Sequence, residues 1–475
     1  MVFSSLEFLF LFMPAVIGLY FVVPRVLKNP VLLLGSLLFY TWGGGVFVLI
    51  LLLSIGVNFW AGAFVAKARE QGNDTRRAIG VAVGVAVNIM LLGYFKYANF
   101  FVDQLNSLGE AMGVGTIAWT NIGLPIGISF FTFQSMSYTI DVAVGRADRL
   151  RNPFDFALFV SLFPQLIAGP IVRYHQIADQ LRGRHTRVDD FAEGVVRFTH
   201  GLVKKVLIAD SVAVVADAAF GADPVGLTTG AAWLGVAAYT VQIYFDFSGY
   251  SDMAIGLGRI LGFRFPENFN RPYSALSITD FWRRWHITLS SFFRDYLYVP
   301  LGGSRGSTAA TYRNLVLVFL LTGLWHGANW TFVVWGAYHG TLLIVERVRG
   351  QRPTADASWP WLRRAMVLLL VMVGWVLFRA ESLPAAVHYL QTMFSFSGGI
   401  TGAVADTLNL KSTIALAAGA ATVFLPGSFV AGVELQQRVG VVPAVARAAL
   451  MVAALPYALM VVASGSFSPF LYFQF

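Results

Sequence analysis

The chain has 475 residues, of which 57% are hydrophobic and only 12% charged, with a formal net charge of +9 and no cysteine. Soluble domains run nearer about 45–50% apolar and about 25% charged, so a disordered chain, a coiled coil and an ordinary soluble enzyme are excluded. The lack of cysteine removes disulfides, a thiol nucleophile and thiolate metal sites. Residues 29–66, 78–95, 111–140, 224–245, 314–345, 412–433 and 448–475 contain no Asp, Glu, Lys or Arg. One bilayer crossing takes about 20 apolar residues, which allows roughly ten. The runs are long and continuous rather than short and alternating, which argues against an outer-membrane barrel. Backbone polar groups in lipid need internal partners, so the spans must be helices. The fold class is therefore all-α, a polytopic integral membrane protein.

In chain order, Phe3–Val23 reads as a first span, because no basic segment and small-residue cleavage site open the sequence. Run 29–66 is too long for one crossing, and Gly43, Gly44 and Gly45 offer a turn between two. The basic segments 67–77, 173–187, 283–313 and 346–364 should be cytoplasmic. Arg25 and Lys28 put the first loop inside and the N-terminus outside. Phe154–Ile171 is interrupted by Pro164, Gly169 and Pro170 between basic flanks, which predicts a re-entrant segment. The 32-residue run 314–345 would make one helix of about 48 Å against a hydrocarbon core of about 30 Å. It should dip in and return as two shorter helices, with Gly323 and Gly327 serving the bend and His326 near the midpoint. Such a break at depth is tolerated only inside protein or a water-filled cavity. The aromatic, uncharged Phe467–Phe475 should pack at the interface. No linker, repeat or low-complexity tract divides the chain, so 1–475 reads as a single integral domain.

Polar residues inside such runs are functional candidates. His326 stands in Leu324-Trp325-His326-Gly327-Ala328-Asn329-Trp330, and a neutral imidazole there can accept a proton as a general base must. Asn329, three residues on, shares its face if that turn is helical and is placed to orient the ring or hold a carbonyl oxygen. The bland reading is a membrane histidine bonded to a neighbouring helix. His326 and His339 would point to nearly opposite sides of one helix, and no acidic residue accompanies them. A metal site is therefore not expected, and His339 reads as structural.

A second constellation is Asp280-Phe281-Trp282-Arg283-Arg284-Trp285-His286, followed by Arg294-Asp295-Tyr296. Interleaved Trp and Arg suit a membrane interface. Arg283, Arg284 and Arg294 are also donor-binding candidates as phosphate clamps; anchoring and Arg–Asp pairing is the plainer alternative. A third is Asp246 and Asp252, the acids of the stretch from Tyr244 to Asp252. Capping of a helix starting near Met253 is expected for Asp252, while Asp246 is left open as a cation or proton site. Lys204 and Lys205 near Asp210 should form an ion pair.

Together these stretches resemble the membrane-bound O-acyltransferase superfamily, in particular its bacterial polysaccharide-acetylating branch. The resemblance is carried by MVFSSLEFLFLFMP at Met1–Pro14, PIGISFFTFQSMSY at Pro125–Tyr138, LFPQLIAGPIVRY at Leu162–Tyr174, Tyr244–Tyr273, FWRRWHITLSSFFRDYLYVPLGG and LTGLWHGANWTFVVWGAYHG. It covers essentially the whole chain and is densest from 125 to 345. It implies His326 as the catalytic residue and His286 as the second histidine of the site; Asn329, Asp246 and Trp325 are the supporting candidates from the reading of the residues themselves. It further implies a ring of ten or more transmembrane helices with short re-entrant helices around a central funnel, in a bacterial inner membrane.

The activity so implied is transfer of an acetyl group from a cytoplasmic thioester across the membrane for O-acetylation of an exopolysaccharide such as alginate. No bound cofactor is implied; acetyl-CoA is the donor, and a periplasmic SGNH-type protein is the partner that esterifies the polymer. His326 would act as base or transiently carry acetyl, while Asn329 and His286 are the candidates to stabilise the oxyanion. The alternatives are D-alanyl transfer to teichoic acid, acetylation of peptidoglycan or cellulose and, in another class, a transporter. The transporter reading is disfavoured because no symmetric pair of broken helices is visible.

Overall fold

In the computed structural model, the described residues are 2–223, 226–350, 359–400, 402–424, 440–465 and 470; among them there are helices and no strand. Two compact units are distinguished: Met1–Phe191 with Leu257–Pro266, and Ala192–Gly256 with Glu267–Phe475.

The first unit begins with α1 (Phe8–Val22), shorter than the expected Phe3–Val23 at its start and ended where Val23 turns extended ahead of Pro24. Then come α2 (Lys28–Gly44), α3 (Val48–Glu70), α4 (Asp74–Leu92), α5 (Ala98–Ala111) and α6 (Ile128–Val144). The expected break in run 29–66 is present: Gly45, at φ 52, ends α2 in a positive-φ conformation open to glycine, which has no Cβ. Asn73 caps α4 by accepting the Arg76 amide at 2.9 Å. Buried Asn58 and Asn88 exchange amide hydrogen bonds, the shorter 2.7 Å, joining α3 to α4 inside an apolar setting where an unmatched amide would be costly. The interrupted segment is two short buried helices, α7 (Pro153–Ser161) and α8 (Phe163–Leu166), hinged at Leu162. The nine residues of α7 reach only about 14 Å, so this segment does not cross. The unit closes with α9 (Tyr174–Arg182).

The second unit contains most of α10 (Val188–Val203), α11 (Asp210–Phe220) and most of the 32-residue α12 (Thr229–Ile260). Asp252 lies inside α12 and does not start a new helix, which corrects its expected role as a cap. Its charge is met by Arg197 and Lys204, each at 2.6 Å, and by His200 at 3.1 Å, so the helix has no reason to end there. Short α13 (Ile278–Arg284) and α14 (Ile287–Phe293) follow, then α15 (Thr308–His326) and α16 (Trp330–Val348). The last helices are α17 (Pro360–Arg379), α18 (Leu383–Met393), α19 (Gly402–Asp406), α20 (Leu410–Phe424) and α21 (Val441–Ala463). Of Phe467–Phe475, only Phe470 falls among the described residues; the others lie outside them.

The run 314–345 is indeed two helices rather than one. A Cβ on Gly323 would meet Phe332, one on Gly336 would meet Phe319, and one on Gly340 would meet Val316; that inverse order of partners makes α15 and α16 an antiparallel hairpin. Gly327 takes the bend, whereas Gly323 sits within α15 as a point of close approach. Gly336→Val is therefore expected to force the backbones apart and lower the yield of folded protein in membranes severalfold. Detergent-resistant fluorescence of a tagged chain checks this, with Ala337→Val as control. Among the described residues, four helical stretches are long and apolar enough to cross a membrane, fewer than the roughly ten that uncharged length alone allows.

Candidate functional site

The second unit places the sequence-predicted residues as follows. Ser277 caps α13 by accepting the Asp280 amide at 3.0 Å, and the Glu346 carboxylate on α16 accepts the Thr279 amide at 2.9 Å and its hydroxyl at 2.8 Å. An acidic group at a helix N-terminus is favourable, and this one ties α13 to the hairpin. The chain then leaves α13 through Trp285 and enters α14 at His286, whose φ of 43° and ψ of 54° are left-handed. A residue with a Cβ is held in that region at a cost of about 1–2 kcal/mol, so something must fix it.

His286 is fully buried. Its Nδ1 lies 3.0 Å from Asn268 Oδ1, and its ring packs against Phe247 at 4.7 Å and Trp325 at 5.9 Å. His326 ends α15 and is 6% exposed. Its ring packs on Trp325 at 5.0 Å, Trp335 at 5.2 Å and Phe378 at 5.0 Å. The structure thus gathers two histidines, forty positions apart in sequence, around one indole. Water is largely excluded there, which strengthens any charge interaction developed in the pocket.

Asn329 is placed differently from the sequence expectation. The α-turn stops at His326, so the two residues share no helical face. Asn329 instead caps α16: its Oδ1 accepts the Thr331 amide at 3.0 Å and its Nδ2 donates to the Glu381 carbonyl at 3.0 Å. Both amide atoms of Asn329 are engaged away from His326. Asp246 is committed as well, accepting from Lys205 at 2.6 Å, while Lys205 also reaches Asp210 at 2.7 Å. The expected Lys205–Asp210 pair is thus present with a third member, and Lys204 goes to Asp252. It is Phe247, the residue after Asp246, that touches His286. His339 lies on α16, not on the helix of His326, and packs edge-on against Trp282 and Trp335.

The same unit contains a cavity of about 530 Å³ whose lining includes Thr279, Arg283, Ser290, Arg294, Tyr298 and Arg347, with an apolar wall from Leu315, Val318 and Phe319; neither His286 nor His326 lines it. Trp282 lines it too, and the same indole contacts His339. Of the three predicted donor-binding arginines, Arg283 and Arg294 line the cavity. Arg284 does not: it is paired to Asp280 at 2.8 Å. Arg294 pairs with Asp295 at 2.7 Å. Among the described residues Arg283 and Arg347 have no carboxylate partner, and Arg347 had stood out in the sequence only as a marker of membrane orientation. Asn268, Ser251 and Thr288 were also missed: they are scattered over 251–288 in the sequence, and only the fold brings them together at His286.

The sequence profile described as the membrane-bound O-acyltransferase family matches residues 86–380, a span that contains both histidines, Asn268 and the cavity. The chain belongs to this family. Among its relatives, a probable alginate O-acetylase of Azotobacter vinelandii is 53% identical over 397 residues, 83% of this chain and 78% of that protein. One from Pseudomonas aeruginosa is 51% identical over 396 residues, 83% of this chain and 75% of that protein. A peptidoglycan O-acetyltransferase of Helicobacter pylori is 38% identical over 437 residues, 84% and 80% of the two chains. Within the family, then, the chain is an acyltransferase with a multi-pass membrane fold.

Proposed function

We propose that the protein moves an acetyl group from acetyl-CoA on the cytoplasmic face of a bacterial inner membrane towards an exopolysaccharide, alginate being the polymer its relatives at 51–53% identity point to. The observation that carries the chemistry is the convergence of His286 and His326 on the indole of Trp325 inside a buried aromatic shell. The thioester carbonyl enters from the arginine-lined side and an acceptor hydroxyl from the other. His326 takes the hydroxyl proton as oxygen attacks the carbonyl carbon. The tetrahedral intermediate collapses with cleavage of the C–S bond, and the proton passes to the departing thiolate. The acetylated acceptor is a periplasmic partner of the SGNH type, which esterifies the polymer. The fold that serves this is a single integral domain of about ten or more transmembrane helices with short re-entrant helices. The lower identity to the peptidoglycan enzyme favours the exopolysaccharide over the cell wall.

Membrane vesicles containing the protein, incubated with acetyl-CoA and the periplasmic extract, should release free CoA and acetylate the extract; a transporter would release none. The cavity's arginines supply a finer test. Guanidinium groups match phosphate geometry, so Arg283→Ala combined with Arg347→Ala should raise the KM for acetyl-CoA about tenfold with kcat little changed. Saturation curves with acetyl-pantetheine, which lacks the nucleotide phosphates, should show no such shift.

A further inference from the structure

Asn268, a residue with no charge and no reactive group, is bonded to the second histidine and to the two residues that follow it. Its Oδ1 receives His286 Nδ1 at 3.0 Å, the Thr288 amide at 3.3 Å and the Thr288 hydroxyl at 2.8 Å, while its Nδ2 donates to Ser251 Oγ at 3.1 Å. Its backbone carbonyl accepts the Ile287 amide at 2.9 Å. The polarity of this arrangement follows from the Thr288 amide. A backbone N–H only donates, so the atom of Asn268 that faces it must be the oxygen rather than the nitrogen, which settles the amide orientation that heavy-atom positions leave open. His286 Nδ1 faces the same oxygen and must therefore carry a proton. In the neutral ring the other nitrogen is then a bare acceptor. His286 Nε2 is buried with no hydrogen-bond partner among the described residues. The left-handed backbone at His286 is explained by the same contacts: the Asn268 carbonyl and side chain hold the residue on both sides, as a strained position requires.

We infer that Asn268 is a positioning residue that locks His286 in the Nδ1–H tautomer, so that His286 offers a hydrogen-bond acceptor to the acceptor substrate's hydroxyl instead of a donor to the oxyanion. This rests on the reading that His286 belongs to the transfer site. It reverses the polarity that sequence alone suggested for this ring, and it leaves proton removal to His326 with His286 orienting the same hydroxyl.

The test combines a spectrum with a mutant cycle. Protein labelled with ¹⁵N-histidine contains seven such residues, and the His286 signals are assigned by their loss in His286→Gln. Wild type should show a protonated Nδ1 and a bare Nε2 for His286, and Asn268→Leu a mixture of tautomers. Acetyl transfer should fall at least about tenfold in Asn268→Leu, in line with other partners that set a histidine tautomer. It should be largely retained in Asn268→Asp, which keeps the accepting oxygen while the Ser251 hydroxyl turns to donate. In a His286→Gln background the Leu variant should cost no further activity, since Asn268 acts through that ring. A protonated Nε2 in wild type, or an equal loss from Asn268→Leu in both backgrounds, overturns the inference. If Asn268→Leu does not accumulate, the wild-type spectrum still decides. If His286→Gln transfers acetyl normally, the site reading fails, whereas the tautomer is read from the spectrum regardless.

Discussion

Cells whose protein carries His326→Ala should export polysaccharide with acetyl ester content reduced at least about a hundredfold, the usual span of a lost general base, at an unchanged level of membrane-inserted protein. The imidazole is held by three aromatic rings and sits where α15 ends, so truncation to alanine also opens a void. His326→Gln separates the two effects. It fills the same space and cannot take the proton, and it should be as inactive as alanine while restoring any lost yield. Ester content is read by alkaline release of acetate from purified polymer. Normal acetylation in either variant at normal protein level would remove His326 from the mechanism.

The largest stability effect is expected at Lys205. The side chain is 2% exposed and is held between Asp246 and Asp210 at 2.6 and 2.7 Å, with the Phe470 ring 4.5 Å from Nζ. Removing this cation leaves two carboxylates close together in a buried site, a loss of about 3–5 kcal/mol for a broken buried pair. Lys205→Met should therefore lower the thermal midpoint of the purified protein by several degrees and cut its membrane yield. Neutralising the acids as well, in Lys205→Met with Asp246→Asn and Asp210→Asn, should recover most of the loss, because a well-packed neutral group is no worse than an ion pair in such a setting. Full activity in the neutral triple variant would also dismiss the expectation that Asp246 moves protons or binds a cation. A midpoint unaltered in Lys205→Met would show that the cluster is solvated and adds little.

Much of the architecture was legible locally. The helical membrane class follows from uncharged length and from the need of every backbone group in lipid for an internal partner. The break at Gly45, the two-piece segment around Leu162 and the hairpin of α15 and α16 follow from comparing run lengths with the bilayer and from glycine and proline positions. The motifs around His286 and His326 also marked the chain's family. These are properties of neighbours along the chain, and a one-dimensional string carries them.

Other features were decided only by tertiary structure. Asn329 looked like a partner of His326 because three positions separate them, yet the helix ends between the two and the amide caps α16 instead. Asp252 looked like a cap because it closes an apolar run, but Arg197 and Lys204, about fifty residues earlier, neutralise it and α12 continues. Asn268 gave no local sign of its link to His286, eighteen residues on. Hydropathy and helical period report on spacing along one element. Whether a buried polar group is satisfied depends on which donor or acceptor the fold brings against it from elsewhere in the chain, and that pairing exists only once the helices have packed.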